Sequence, residues 1–337
     1  MSSSTGPRLL AGAALLALAF GGASLLRGAA SADATAQPRT TPKLTAPPAG
    51  SGAHDLILGS KDSAQPKNME QFLTAVTKDI DSYWTKVFRE SGLAEPRVTY
   101  DWIPAGQTAA SACGDDSGTL GDSAAAYCPG DDTIYISQRF ATEIYTGALD
   151  RELPGSSQGY GRTVGDFAVA YIVAHEYGHE VQNELGTDQE YAGQLPTMAF
   201  ELQADCYAGN WAKSASDENR LEDGDVQEAL DAALAVGDFD TTNPSHHGTP
   251  EQRKEAWQTG FESGDPSSCD AYLDPANLGD DGTSSGQDPG AGDPTQQDPG
   301  YPSDPTRQDA SSPAGNATYG YPGEDAGDDP HGVVARG

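Results

Sequence analysis

One segment, residues 164–185, constrains the fold of this chain more than any other. It reads VGDFAVAYIVAHEYGHEVQNEL, and helical winding would bury it on both sides through its apolar residues, which are Phe167, Val169, Ala170, Ile172, Val173 and Val181. Thr163 with Asp166 predicts a capping pair at the start of this helix, and Gly186 predicts its end. Buried histidines and carboxylates need partners. The helix is therefore expected at the centre of the domain, with its polar groups paired.

The polar groups in question form the pattern H-E-x-x-H, made by His175, Glu176 and His179. Four residues advance a helix by slightly more than one turn, so both imidazoles project from one face and can hold one metal ion. Glu176 is offset from His175 by about 100°, which suits a hydrogen bond to a water on that ion. Such a short pattern also occurs by chance in helices whose histidines do nothing. The apolar flanks favour the metal site.

A third ligand is predicted on the next helix, residues 196–214, which contains the sequence ELQAD. A catalytic zinc takes three protein ligands and keeps one position open. Glu201 completes a His₂Glu set for one Zn²⁺, and Asp205, one turn later, can accept the outer N–H of a ligating histidine. The exchange of these two roles remains an alternative.

The remaining periodicity predicts a mainly α domain with a small antiparallel β-sheet, of the α+β class, over residues 68–275. Further helices are expected from Met69 to near Gly92, over 225–236 and over 250–263. Thr249 and Gln252 form a capping box for the last helix, which Gly264 ends. Short strands are expected over 97–102 and 133–137. Thr133–Ser137 is expected to be an edge strand that binds an extended substrate by strand addition.

Both ends of the chain have the composition of non-globular segments. Arg8 precedes an uncharged stretch, residues 9–26, and Ala30-Ser31-Ala32 offers a cleavage site, so residues 1–32 are expected to be a signal peptide. The alternative is an uncleaved anchor, with residues 9–26 as a membrane tether. Either way the domain is expected outside the cytoplasm, as a secreted or anchored protein. Residues 33–67 are predicted to be a flexible linker, and 276–337 a disordered acidic tail.

The four cysteines fit an exported protein. Cys113, Cys128, Cys206 and Cys269 allow three pairings, and the sequence has no C-x-x-C to suggest a thiolate metal site. We expect Cys113–Cys128 to close a local loop and Cys206–Cys269 to join two helical segments.

The net charge limits the partners of the chain. Its 51 acidic and 19 basic residues give a net charge of -32, which would repel a polyanion. Nucleic acid is therefore excluded as a general partner, and a peptide or protein substrate is expected.

Several motifs together resemble one family, the neutral zinc metallopeptidases of bacteria, which look like minimal relatives of the gluzincin peptidases. The matching pieces are AVAYIVAHEYGHEVQ, ELQADCYAGNWA, DVQEALDAALAVGD, HGTPEQR, GFESGD, ACG and YCPGDDTIYI, within residues 68–272. The resemblance implies a gluzincin-like fold, zinc ligation by His175, His179 and Glu201, and Glu176 as general base. His247, in HGTPEQR, is either a donor to the oxyanion of the reaction or a structural histidine before a helix.

These patterns predict an exported zinc-dependent metallopeptidase that hydrolyses peptide bonds. Two other classes of protein remain open. A non-catalytic, zinc-stabilised binding protein would need the same ligands but not Glu176. A cell-surface interaction module would depend on the acidic tail and not on a metal.

Overall fold

The computed structural model describes residues 43–45 and 68–278. In chain order these residues form α1 (Met69–Glu90), β1 (Thr99–Ile103), β2 (Ala109–Ala110), β3 (Thr119–Leu120), β4 (Ala125–Cys128), β5 (Thr133–Ser137), α2 (Gln138–Thr146), α3 (Asp166–Leu185), α4 (Thr187–Glu190), α5 (Thr197–Asp217), α6 (Asp225–Val236) and α7 (Pro250–Ser263). The predicted class, mainly α with a small sheet, is confirmed. The predicted signal peptide, with its tether at residues 9–26, lies outside the described residues, as does nearly all of the predicted tail.

Helix α3 is the central element, as its sequence predicts. Phe167, Tyr171 and Tyr177 on it are fully buried, and it packs against α1, α2, α5, α6 and β4. Its C-terminus is the predicted Gly186, in the left-handed conformation at φ 73°.

The predicted capping pair at the start of α3 is wrong. The helix begins after Gly165, with no side chain capping it. Both the backbone N–H and the hydroxyl of Thr163 donate to the Asp150 carboxylate instead. The backbone N–H of Phe167, in the first turn of α3, donates to the Glu228 carboxylate of α6. A long-range contact therefore replaces the local cap.

Helices α5 and α7 cross with almost no space between their backbones. A Cβ added at Gly260 of α7 would lie 1.9 Å from the Cys206 carbonyl oxygen of α5. A Cβ at Gly209 of α5 would lie 2.1 Å from the Trp257 carbonyl oxygen. The predicted capping box of Thr249 and Gln252 begins α7. This crossing brings α7 directly onto the helix that carries Glu201 and Asp205.

The main sheet is mixed, in the order β1-β5-β4, with β1 parallel and β4 antiparallel to β5. The prediction that Thr133–Ser137 is an edge strand is therefore wrong, because this strand lies in the middle. All five of its residues are buried, as expected for a central strand covered on both faces. The edge that contacts α3 is β4. A separate antiparallel pair is formed by β2 and β3.

Both predicted disulfides are present, Cys113–Cys128 and Cys206–Cys269, with sequence separations of 15 and 63 residues. In the chain-entropy model they contribute about 3 and about 4 kcal/mol. The second ties α5 to the 3₁₀ helix Pro266–Leu273, which follows α7. Leu44, in the predicted linker, is buried in the main core, so the linker contacts the domain there. Within the described ranges, none of the helices has the length and apolarity that a membrane span requires.

Candidate metal centre

Three predicted ligands meet between α3 and α5. His175 and His179, one turn apart on α3, have ring centroids 4.8 Å apart, and Glu201 of α5 faces both. His175 Nε2 lies 3.3 Å from Glu201 Oε2, and His179 Nε2 lies 3.6 Å from Glu201 Oε1. All three residues are buried, and they offer ligand atoms within 4.8 Å of one another. We call these three residues the metal centre.

The geometry of the metal centre fits a tetrahedral ion. Ligand atoms 2.0–2.1 Å from zinc in a tetrahedron are about 3.4 Å apart, close to the two observed separations. His179 Nε2 and Glu201 Oε1 are buried and make no hydrogen bond to any described residue. An ion between them would satisfy both atoms, which are otherwise costly to bury.

A glycine allows α5 to approach the metal centre. A Cβ added at Gly178, between the two histidines, would lie 2.9 Å from both the Cα and the carbonyl oxygen of Ala204. Real Cβ atoms do not approach backbone so closely. Gly178 therefore allows the helices to come within ligand distance, which the H-E-x-x-H pattern alone does not require.

Asp205 orients His175, as the sequence predicts. Its Oδ1 lies 2.8 Å from His175 Nδ1, and a carboxylate only accepts, so Nδ1 carries the proton and Nε2 keeps its lone pair for a metal. Asp205 Oδ1 also accepts from the Tyr171 hydroxyl at 2.7 Å, and both oxygens accept from Arg253 of α7. Burial raises the pKa of Asp205, but Arg253 and His175 lower it further than burial raises it.

Gln182 orients His179 in the same way. Its side-chain oxygen lies 2.9 Å from His179 Nδ1, and its amide nitrogen donates to the Phe200 carbonyl and to Gln203. Sequence analysis missed this residue. The available signal is its position three residues after His179, on the same helical face.

Charge balance keeps Glu201 ionised. Burial raises the pKa of Glu201, but His179 and His175 lower it to about 2. For His175, burial lowers the pKa while Asp205 raises it, and the result is about 9. Glu201 is therefore a carboxylate, the form that binds a metal ion.

Glu176 follows His175 on α3 and is not one of the three ligand residues. Its Oε2 accepts the backbone N–H of Tyr127 on β4 at 2.8 Å, and the residue is 2% exposed. Sequence analysis could not have found Tyr127, since the two residues are 49 positions apart. The arrangement leaves a buried carboxylate, held by β4, on the residue that follows the predicted ligand His175.

His247 is among the residues that lower the pKa of Glu201, after His179 and His175. Its backbone N–H donates to Asp238 Oδ2, and its Nδ1 lies 3.5 Å from the same oxygen. His246 Nδ1 lies 2.5 Å from Asp238 Oδ1. Asp238 therefore holds both histidines, and the role of His247 stays a prediction.

A second group of acidic residues lies at the start of α3. Asp166 of α3 and Asp225 and Glu228 of α6 also offer oxygens within 4.8 Å of one another. We call them the N-terminal acidic group. Burial, with repulsion from Asp166 and Glu222, raises the pKa of Asp225 to about 6. Burial, with repulsion from Asp166 and Asp225, raises the pKa of Glu228 to about 7.

The comparison with known proteins agrees with a metal centre at these residues. The chain is 32% identical over 223 residues to "Uncharacterized protein YpfJ" of Escherichia coli K12, covering 60% of this chain and 71% of that protein. It is 34% identical over 231 residues to "Uncharacterized protein Rv2575" of Mycobacterium tuberculosis H37Rv, covering 61% and 71%. No solved structure matches the chain significantly. A family model described as "Putative neutral zinc metallopeptidase" matches residues 51–272, and the chain belongs to this family.

Proposed function

We propose that the protein is an exported zinc-dependent metallopeptidase that hydrolyses peptide bonds with Glu176 as general base. The observation that carries the proposal is the position of Glu176. Glu176 directly follows the predicted ligand His175 on α3, is buried, and has its carboxylate held by the Tyr127 N–H. A structural zinc site closes all four positions with ligands and needs no such carboxylate.

In this proposal His175, His179 and Glu201 hold one Zn²⁺, and Asp205 and Gln182 orient the two histidines. Zinc would supply Lewis-acid chemistry there, by activating a water and polarising a carbonyl. Glu176 accepts the proton of the attacking water and passes it to the leaving amine. His247 donates to the developing oxyanion.

The substrate would lie along β4. The backbone N–H of Ser137 donates to the Ala124 carbonyl, so Ala124 and Ser137 are a hydrogen-bonded pair at the start of the β4–β5 ladder. By the alternation of antiparallel strands, the backbone groups of Ala125 and Tyr127 then point away from β5. The N–H of Tyr127 is taken by Glu176. An extended peptide that adds to this edge would therefore pass directly beside the general base.

Export is supported by the two disulfides, which form and persist in oxidising compartments. The partner expected there is a peptide or protein substrate. A tether through residues 9–26 would keep the domain outside the cytoplasm at a membrane surface.

The test is digestion of a broad peptide library by the full chain, with a chelator and with zinc added back. Glu176→Gln should keep zinc and fold but lose activity by a factor on the order of 10² or more, because the base is removed. Glu184→Gln, an exposed position two turns later on α3, is the matched control and should cleave like the parent.

The outcomes separate the three classes of protein. Cleavage that the chelator stops, zinc restores and Glu176→Gln lacks supports the peptidase. A chain that binds one zinc but cleaves nothing is a zinc-stabilised binding protein. A chain that binds no zinc points to a surface interaction module. If the Gln variant cleaves as well as the parent, Glu176 is not the base.

A further inference from the structure

We propose that Arg253 is a positioning residue that keeps Asp205 out of the metal's coordination shell and thereby makes Glu201 the third ligand. The proposal depends on the metal centre but not on peptidase activity, since every measurement below concerns metal binding. Sequence analysis assigned no role to Arg253.

Arg253 is a buried arginine, 4% exposed, near the start of α7. Its Nε donates to Asp205 Oδ2 at 2.7 Å, and its Nη2 donates to Oδ1 at 2.9 Å. This is a two-pronged contact that the planar guanidinium can make and an ammonium cannot. Nη2 also lies 3.2 and 3.4 Å from the two ring nitrogens of His175, so the guanidinium packs against that ring.

Both carboxylate oxygens of Asp205 accept hydrogen bonds. Oδ1 accepts from Tyr171, His175 and Arg253, and Oδ2 accepts from Arg253. Each oxygen of Asp205 therefore already has at least one donor. Glu201, one turn earlier on α5, has a buried Oε1 with no hydrogen bond to a described residue. Of the two acidic residues that face His175, Glu201 is the one whose carboxylate keeps an oxygen without a donor among the described residues.

Removing the guanidinium would change this balance. Oδ2 would lose its hydrogen-bond donor, and Asp205 would become a buried anion without its cation, a costly state. A metal ion beside His175 is the nearest positive charge that could replace the cation. Asp205 would then compete with Glu201 for the metal.

Arg220 provides a matched control. It is also buried, at 8% exposed, and its Nη1 donates to Asp79 Oδ2 at 3.0 Å. Asp79 is buried and accepts from Trp211 as well, but it belongs neither to the metal centre nor to the N-terminal acidic group. Loss of Arg220 therefore reports the general effect of removing a buried arginine from a carboxylate.

The experiment measures zinc affinity, by chelator competition, for Glu201→Gln in three backgrounds of the full chain. In the parent, this change should weaken zinc by at least about 100-fold, more than an outer-shell change usually does. In the Arg253→Met background, Glu201→Gln should weaken zinc binding by a factor at least about tenfold smaller than in the parent, because Asp205 can then act as the third ligand. In the Arg220→Met background, Glu201→Gln should weaken zinc binding as much as it does in the parent.

Visible absorption of the cobalt-loaded proteins gives a second measurement. Arg253→Met should shift the cobalt spectrum toward higher coordination, and Arg220→Met should leave it unchanged. If Arg253→Met does not fold, Arg253→Lys can be used instead. It retains the charge but cannot make the two-pronged contact with Asp205, and it should give a smaller spectral shift in the same direction. The proposal would be overturned if Glu201→Gln weakened zinc binding equally in all three backgrounds and the cobalt spectrum were the same in each. A parent that binds no zinc would instead refute the metal centre.

Discussion

Helix α3 contributes to two groups of three side chains that could hold a cation, one shared with α5 and one shared with α6, and the two groups differ in how their charges are balanced. The metal centre combines two histidines with one carboxylate, and the N-terminal acidic group consists of three carboxylates. In the first, the histidines lower the pKa of Glu201 to about 2. In the second, burial and mutual repulsion raise the pKa of Glu228 to about 7.

The hydrogen bonds show the same contrast. In the metal centre, His179 Nε2 and Glu201 Oε1 are buried without a hydrogen bond to a described residue. In the N-terminal acidic group, Glu228 accepts from the Phe167 N–H and Asp225 accepts from the Glu222 N–H. Proximity of acidic groups therefore does not distinguish a metal site. Buried ligand atoms that lack a hydrogen bond to a described residue do.

The largest expected effect separates the two groups by metal content. His175→Ala or Glu201→Ala should abolish stoichiometric zinc binding, because each removes one of three protein ligands. Asp225→Asn should keep one equivalent of zinc. Elemental analysis of the purified variants checks this. Full zinc retention by Glu201→Ala would move the third ligand to another residue.

A smaller effect is expected from the glycine next to each group, Gly178 before His179 and Gly165 before Asp166. Gly178→Ala forces α5 away from α3, and should cost about 1–3 kcal/mol of stability as an overpacked contact. It should also weaken zinc binding, because Glu201 moves with α5. Gly165→Ala is the control, since Gly165 has φ 103° and a Cβ there would lie 2.1 Å from a Glu228 oxygen.

Gly165→Ala should lower stability but leave zinc affinity unchanged. Thermal unfolding and chelator competition measure the two quantities separately. Equal loss of zinc affinity in both variants would mean that the metal centre senses general destabilisation rather than the separation of α3 and α5.

The smallest effect concerns pH. The pKa of Glu228 is about 7 in the folded protein against an ordinary 4.5, so the native state binds more protons between these values. Its contribution to stability is complete below about pH 4.5 and is lost as pH rises through about 7. Glu228→Gln should remove this loss and raise stability above pH 7. Because Glu228 is partly exposed, the gain should be on the order of 1 kcal/mol.

Urea unfolding at pH 5 and pH 8 measures the effect, with the exposed Glu255→Gln as control. A Glu228→Gln variant whose stability falls between these pH values as steeply as the parent's would show that Glu228 is not the group that titrates.

The parts of the site that follow helical periodicity could be predicted from sequence. His175, Glu176 and His179 share one helix, and the bounds of α6 and α7 follow from their patterns and caps. Contacts between elements could not be predicted in this way. Arg253 is 48 positions from Asp205, and no local pattern relates them.

The sheet shows the same limit. Alternation predicts that Thr133–Ser137 is a strand, but not that β1 pairs with it in parallel and places it in the middle. The start of α3 failed for a related reason, because Asp150 and Glu228 supply from a distance the hydrogen bonds expected from Thr163 and Asp166.

The most direct test of the account is an anomalous difference map at the zinc absorption edge, from crystals of the zinc-loaded full chain. The account predicts one peak at the metal centre, about 2.0–2.2 Å from Nε2 of His175, Nε2 of His179 and a carboxylate oxygen of Glu201. A peak at the N-terminal acidic group with none between α3 and α5, or a peak bound by Asp205 in place of Glu201, would contradict it.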